Sequence, residues 1–452
     1  SYSVTGVQTC ALPILTGLFG FMLIETFFIG QLGKNELAAY NYTMPVMMIL
    51  NGLAFGVGNG VSAVISLAIG RGERDKVARL TTDSLVLGIL LVSIFILAGY
   101  LTIDLMFVKM GASGEVLSLV RDYIHIWYAG AFFVVLPMIG SNCIRATGDA
   151  KTSGQIMILS VIINLVLDPI FIFGIGPIPA MRLEGAALAS VVSRALILAY
   201  SIWILHYRDK MITLAQPRLH EVFDSWKKIM FIGLPQGATN IIMPLGAAII
   251  LSFASDYGKD TVAGLGVGIR IEMFAYSIIF ALGAAIGPIV GQNWGARKYG
   301  RVRETMKISL RYSFAWSIFM AILFALFGRQ IGAWFNASPG VIDAVVLYLL
   351  IIPFSHPLLN IMVISNITIN ILHRPYTAAF LSILRVFILY VPLTYLGSFL
   401  FGFEGLIGGI TVSNIVLGIA SYFIMNSVMK TEQIKEEAKY GNDIPVDSVP
   451  AT

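Results

Sequence analysis

Runs of about twenty apolar residues, separated by short basic connections, recur along almost the whole chain, and no other feature constrains its fold as strongly. At 1.5 Å rise per residue, a helix of that length matches the ~30 Å hydrocarbon core of a bilayer. The runs fall at 14–30, 43–69, 84–107, 123–144, 154–176, 185–205, 229–253, 263–291, 306–328, 342–370, 377–399 and 405–428. They predict an all-α membrane protein of about twelve transmembrane helices. Composition agrees: 57% of the 452 residues are hydrophobic and 12% are charged, and the mean hydropathy is +0.83. A soluble domain carries about 25% charged residues, so lipid is the expected solvent for most of this surface.

The formal net charge of +5 does not point to nucleic acid, because the basic residues are not gathered with aromatics on one face. They lie in the connections. Of the 30 Lys and Arg, 20 fall in alternate connections and the tail, among them Arg71, Lys76, Arg145, Arg208, Arg301 and Arg374. Six occupy the opposite side, and four (Arg194, Arg270, Arg311 and Arg385) lie inside spans. Positive charge favours the cytoplasmic side, which places both termini in the cytoplasm and the chain in the inner (plasma) membrane. Cys10 and Cys143 stand far apart, outside any metal-ligand spacing.

The two halves match at an offset of 225, pairing Gly33-Lys34 with Gly258-Lys259, Gly58 with Gly283, Gly70 with Gly295, and Ser84-Leu85 with Ser309-Leu310. Six spans is an even number, so both halves enter the membrane from the same side as a parallel repeat. The expected organisation is an N-lobe of six spans at 15–205, a cytoplasmic linker at 206–228 with Pro217, and a C-lobe of six spans at 229–430. Residues 431–452, polar with two prolines, are expected to be a disordered cytoplasmic tail. Residues 1–14 do not continue the first span and read as a foreign or truncated start, closer to translated adapter sequence than to a native leader.

Charge inside a bilayer costs roughly 2.5 to 3.5 kcal/mol on insertion scales, so intramembrane acids are functional candidates. Asp168 has Asn164 four residues earlier on the same helix face, and Pro169 follows it and cannot donate to the Leu165 carbonyl. A carboxylate, an amide oxygen and a freed carbonyl together suit a proton or a hard cation. The competing reading is a kinked helix whose Asp bonds a neighbour. Glu25, in LIETFFIGQLG, has nothing basic near it in sequence and needs a partner or a proton. Glu272 follows Arg270 by two, a spacing at which helical side chains do not face each other. With His356 these two residues make a possible secondary intramembrane site, against the alternative of interhelical hydrogen bonding. Arg194 and Arg385 read as interhelical glue, and GVGNG at 56–60 as close helix packing.

No HExxH, GxSxG, Walker sequence or Cys/His cluster occurs, which argues against an enzyme, a metal centre or an ATP-driven pump. An ion gradient is the remaining source of energy, and no organic cofactor is expected.

With IETFFIGQLG, AIGRGERDKVARL, IRATGDAKT, NLVLDPIFIFG and VGQNWGARKYGRV in order around the two matching halves, the chain resembles the multidrug and toxic compound extrusion (MATE) family from about residue 15 to 430. The resemblance implies a V-shaped pair of six-helix bundles, alternating access, and export of small organic cations in exchange for protons or sodium ions. Within the family, an acid on span one joined to Asn-x-x-x-Asp on span five maps onto Glu25, Asn164 and Asp168, the pattern of the branch similar to the DNA-damage-inducible F proteins. The hydroxyl that relatives place on span six corresponds to Ser190. Glu25 is a departure, since relatives usually carry Asp there. A monomer is expected. The alternative is a lipid-linked oligosaccharide flippase of the same superfamily, which should have several basic residues inside the N-lobe; here the interior holds two acids and only Arg194.

Overall fold

In the computed structural model, residues 24–440 are described except 214, 216, 217, 336 and 337. The doubtful start at 1–14 and residues 441–452 therefore lie outside the described part. Every element among the described residues is helical. The first, α1, covers 24–32. It is followed by α2 (Lys34–Gly70), α3 (Arg74–Lys109), α4 (Gly114–Ala129), α5 (Ala131–Ala146), α6 (Ala150–Phe173) and α7 (Arg182–Trp203), which ends in a π-helical turn, Ile204–Arg208. The second half comprises α8 (Leu219–Ser255), α9 (Lys259–Gly295), α10 (Tyr299–Phe335), α11 (Pro339–Ile351), a 3₁₀ segment (Ile352–Ser355), α12 (His356–Ile371), α13 (Pro375–Ile383), a π-helical segment (Leu384–Tyr390) and α14 (Val391–Tyr440).

Nine helices among the described residues are long and apolar enough to cross a membrane, and the bent pair α4 and α5 makes ten. The long helical stretch Pro375–Ala438 carries two spans, because Phe401 and Gly402 leave helical geometry inside α14. The expected first span lies mostly outside the described residues. The nine helices, the bent pair and the split stretch make eleven crossings among the described residues, and an all-α multi-pass membrane protein follows. Several helices exceed the apolar runs: α2, α8, α9 and α10 each have 37 residues, about 55 Å of helix. Hydropathy marks where lipid ends, whereas a helix continues as long as its own backbone bonds are made.

The internal repeat is visible in the backbone. Left-handed residues recur at the sequence offset of 225: Gly33 (φ 148°) with Gly258 (φ 100°), Gly72 (φ 76°) with Arg297 (φ 58°), and Gly148 (φ 97°) with His373 (φ 56°). Their turn bonds match as well. Glu73 N donates to Ala68 O at 3.0 Å and Lys298 N to Asn293 O at 2.8 Å. Where the first half uses glycine for this conformation, the second half tolerates Arg and His, at a steric cost glycine avoids.

Two compact units result. Among the described residues, one comprises 24–69 and 73–237, the other 70–72 and 238–440. In the first, Leu50, Ile65, Ile124, Ile139, Ile172 and Leu183 are fully buried. Lipid-facing Leu97, Leu101 and Leu105 form an exposed stripe along α3. Burying apolar side chains gains little where the solvent is itself apolar, so close backbone approach carries more of the packing. A Cβ on Gly60 would stand 2.5 Å from the Ile229 carbonyl oxygen of α8, and one on Gly56 would stand 2.9 Å from Gly237 N. GVGNG is thus a packing element. The second unit packs Ile250, Leu265, Phe324, Leu349 and Ile410 into its own core.

Three expectations need correction. The polar segment 206–228 is not all linker: 219–228 is the first part of α8, where Lys228 pairs with Asp224 at 2.5 Å and Trp226 Nε1 donates to Asp83 O at 2.9 Å. The start of the tail is not disordered, because 431–440 continues α14, with Glu432 paired to Arg374 at 2.6 Å and Arg303 donating to Gln433 at 2.6 Å. In both places a solvated helix, polar by composition, looks like a loop to hydropathy. The fourth span is broken at Gly130 and bends by 44°.

Candidate functional site

Four helices of the first unit bring polar side chains into an otherwise apolar interior. Asn164 and Asp168 lie one turn apart on α6, and Asn164 Nδ2 donates to Asp168 Oδ1 at 3.2 Å. On α7, Gly185 permits the approach to α6: a Cβ there would stand 2.6 Å from the Phe171 carbonyl carbon and 2.9 Å from Ile172 N. One turn further, the Ser190 hydroxyl reaches Asn164 Oδ1 at 3.5 Å. Glu25 on α1 accepts from the Tyr40 hydroxyl of α2 at 3.2 Å, and Tyr40 packs edge-on against Tyr123 at 6.0 Å. Asp168 is 0% exposed and Glu25 7%. These figures matter because an acid so enclosed must find its counter-charge or proton inside the protein.

The bonding of these acids is incomplete. The Oδ2 atom of Asp168 is buried without a hydrogen-bond partner, and the neighbours that touch the two carboxylates (Tyr40 and Asn164) are neutral. Glu25 and Asp168 act electrostatically on each other, and Arg194 on α7 is in range of both. Two acids are thus set against one arginine. By contrast, Glu36, the other buried acid near this end of α2, is directly paired to Arg182. All four expected ion-coupling residues (Glu25, Asn164, Asp168 and Ser190) therefore fall in one neighbourhood, as two hydrogen-bonded groups coupled through their charges. Tyr40 and the position of Arg194 escape sequence reading. A tyrosine in an apolar helix has no distinguishing spacing, and Arg194 reads equally well as glue.

The second unit holds a different arrangement. Glu272 of α9 and His356, the first residue of α12, come together with His356 Nε2 2.9 Å from Glu272 Oε1. That is ion-pair range, although the approach is off the line of a hydrogen bond, and Nδ1 has no hydrogen-bond partner. Tyr348 of α11 donates its hydroxyl to Glu272 Oε2, and the Tyr276 ring lies 4.0 Å from the imidazole. Arg385 is in electrostatic range of Glu272. Arg270, grouped with these residues on sequence grounds, is exposed and is not brought to the cluster. Residues two apart on a helix diverge by about 200° of rotation, so α9 turns Arg270 away. No group of three or more His, Cys, Asp or Glu able to hold a metal occurs among the described residues.

The family model described as MatE matches residues 15–170 and 235–396. The chain belongs to the MATE family. It is accordingly a membrane transporter and not an enzyme. Among curated relatives of this MATE chain, the FAD transporter of Shewanella oneidensis is 33% identical over 421 residues, covering 92% of this chain and 93% of that protein. The multidrug export protein MepA of Staphylococcus aureus is 27% identical over 426 residues, covering 92% of each. Among solved structures, the Vibrio cholerae MATE transporter VcmN in the bent form is 27% identical, with a TM-score of 0.89 over 95% of this chain and 97% of that one. MATE transporters export small organic compounds and are ion-coupled, which gives a buried carboxylate cluster a natural use.

Proposed function

We propose that this MATE transporter is an antiporter of the inner membrane that exports small organic molecules, cations foremost, by alternating access in exchange for protons bound at Glu25 and Asp168. The observation that carries this reading is Asp168 Oδ2, a fully enclosed carboxylate oxygen with no hydrogen-bond partner. Two buried carboxylates sharing one neighbourhood cannot both ionise cheaply, and a shared proton relieves the cost. Asn164 and Ser190 position that proton by fixing the other Asp168 oxygen. The same Glu25, Asn164 and Asp168 set supports the DNA-damage-inducible F-like branch. Sodium is the competing ion: Asn164, Ser190 and the carboxylates offer oxygens, but sodium demands several of them at fixed geometry.

A second reading concerns cargo. The 33% identity to a protein named FAD transporter favours a flavin dinucleotide, which is large, aromatic and anionic. Proteoliposomes separate these possibilities. With the membrane potential clamped, imposed proton and sodium gradients are each combined with either a labelled organic cation or labelled FAD. Export of the cation on the proton gradient alone is the expected result. Export driven only by sodium replaces the ion, and export of FAD with no competition from the cation replaces the cargo. Orientation is tested separately. Cysteines placed at Lys76 and Arg301 should react with impermeant reagents only from the cytoplasmic side.

A further inference from the structure

We infer that Lys307 and Arg311 of α10 form a binding site for the headgroup of one anionic phospholipid, whose acyl chains lie along the apolar stripe that continues the same helix face. The inference is separate from the proposed ion site and does not depend on the identity of the cargo.

The internal repeat is the first argument. At the offset of 225, Val86, Ile89, Ile94, Leu97 and Leu101 of α3 match Arg311, Phe314, Phe319, Ile322 and Leu326 of α10, and all of these residues are exposed. Both sets recur at helical spacing, so each makes one continuous stripe on its helix. Every member is apolar except Arg311. A face of that composition on a membrane-spanning helix meets acyl chains, and where the first half presents valine to them the second presents a guanidinium. The apolar run of α10 begins at 306, which puts the Arg311 backbone about 8 Å inside the hydrocarbon edge. A long side chain at that depth extends toward the headgroups and keeps its stem in the apolar layer.

Charge is the second argument. Lys307 is exposed one turn before Arg311 on the same face, and residues four apart on a helix have Cβ atoms about 5–6 Å from each other, so both cations can reach one phosphate. Among the described residues, neither forms an ion pair or a side-chain hydrogen bond. Other basic residues of this unit are engaged within the protein. Arg303 donates to Gln433 at 2.6 Å, Arg374 pairs with Glu432 at 2.6 Å, and Arg71 pairs with Glu436 at 3.3 Å. The single acid of α10, Glu304, is exposed one turn nearer the aqueous end and pairs with neither cation among the described residues.

These two observations define the ligand. Its negative charge must answer two cations that the protein leaves unmatched, and its body must be hydrocarbon, because exposed Ile308 and Phe314 flank the pair and the apolar stripe runs on from there. A guanidinium fork takes two phosphate oxygens at once, and the ammonium adds a point charge. A zwitterionic phospholipid brings its own cation to the same place and gains less. A phospholipid with net negative charge satisfies both requirements.

The test uses the full-length protein, with phosphatidylglycerol as the anionic probe and phosphatidylcholine as the zwitterionic one. In native mass spectrometry the wild type should retain one phosphatidylglycerol in preference to phosphatidylcholine. Arg311→Val installs the first half's residue and makes the span more apolar, so the variant should insert normally. It should weaken that retention by about fivefold, Lys307→Gln should do the same, and the double variant should lose about 30-fold, the scale set by the attraction of one basic residue to an anionic lipid surface. Arg311→Lys, which keeps the charge, should recover most of the loss. In phosphatidylcholine nanodiscs, added phosphatidylglycerol should raise the melting temperature of the wild type more than that of the double variant. Equal phosphatidylglycerol retention in the wild type and the double variant overturns the proposal. So does equal retention of the two lipids by the wild type, which would mean that Arg311 only reaches for water. Displacement of the lipid by excess inorganic phosphate would also overturn it, since the site would then recognise a free anion without hydrocarbon.

Discussion

The two halves of the molecule share turn geometry at a fixed offset yet treat their buried acids in opposite ways. In the first unit, the hydrogen bonds that Glu25 and Asp168 accept among the described residues come from neutral groups (Tyr40 and Asn164), and one Asp168 oxygen has no hydrogen-bond partner there. In the second, Glu272 already has a tyrosine hydroxyl on one oxygen and a histidine facing the other. An acid with neutral partners requires a cation or proton from outside, whereas an acid beside a histidine carries its own titratable base. The repeat thus preserves the scaffold while the charged side chains differ, and the unit with the unsatisfied carboxylate is the one in which we propose ion coupling.

The severest way to break this contrast is Asp168→Asn. Gradient-driven export should fall by about 100-fold or more, since a charge whose burial costs roughly 2.5 to 3.5 kcal/mol is there for its ion. Protein should remain in the membrane at normal levels, because the amide fills the same volume. Glu272→Gln should keep measurable export, since it removes only the hydrogen bond from Tyr348 and the contact with His356. Equal losses in the two variants would erase the distinction between the lobes, and full export in Asp168→Asn would make Asp168 structural.

Substitutions around Asp168 sharpen the picture with smaller effects. Asn164→Ala removes a hydrogen bond to a charged group, worth about 1.5–3 kcal/mol, and should cut coupled export by roughly 10- to 100-fold. Ser190→Ala removes only a long bond of 3.5 Å to Asn164 and should change export by about threefold. An inverted order, with Ser190 the more sensitive, would place the ion on α7 and not on Asp168. Both are read as vesicle efflux rates at fixed pH gradient.

Much of this was legible in the sequence. The helical spans follow from run length, and Asn164 and Asp168 follow from a spacing of four, because both signals are local and periodic. Failures came where the determining contact is distant or where polarity has two readings. Arg270 was grouped with Glu272 and His356 because all three are polar residues inside spans, yet only the packing of α9 against α12 decides that Glu272 meets His356 and that Arg270 does not. Residues 219–228 and 431–440 are polar because they leave the lipid, and hydropathy cannot tell a solvated helix from a loop. Their ion pairs, Lys228 with Asp224 and Arg374 with Glu432, are what decide it. The bend at Gly130 was invisible for another reason. A Cβ there would stand 2.7 Å from Val191 Cγ1 of α7, a steric fact about a neighbour and not about the span itself.

The smallest expected effect belongs to a carboxylate that is paired outside the lipid, and it calibrates the other two. Asp149 caps α6, accepting from Thr152 N at 2.9 Å, from the Thr152 hydroxyl at 2.6 Å and from Arg208 at 2.8 Å. Partial burial pushes its carboxyl up, but the Thr152 bonds and the Arg208 guanidinium outweigh this and hold it below the ordinary value of 3.8. A group depressed in the folded state stabilises the fold above its unfolded value, and the contribution is lost as pH falls through the folded value. The stabilisation should therefore be complete at pH 7 and decline only below about pH 4. Asp149→Ala should lower stability by about 1 kcal/mol at neutral pH, the usual worth of a helix cap at a partly exposed site where ion pairing adds little. The difference from wild type should narrow as the buffer is taken below pH 4, because the wild-type carboxylate is then protonated too. Thermal melting of the detergent-solubilised protein at several pH values measures this, with export at neutral pH changing by less than about twofold. A stability loss that is large and independent of pH would mean that Asp149 acts through packing and not through charge.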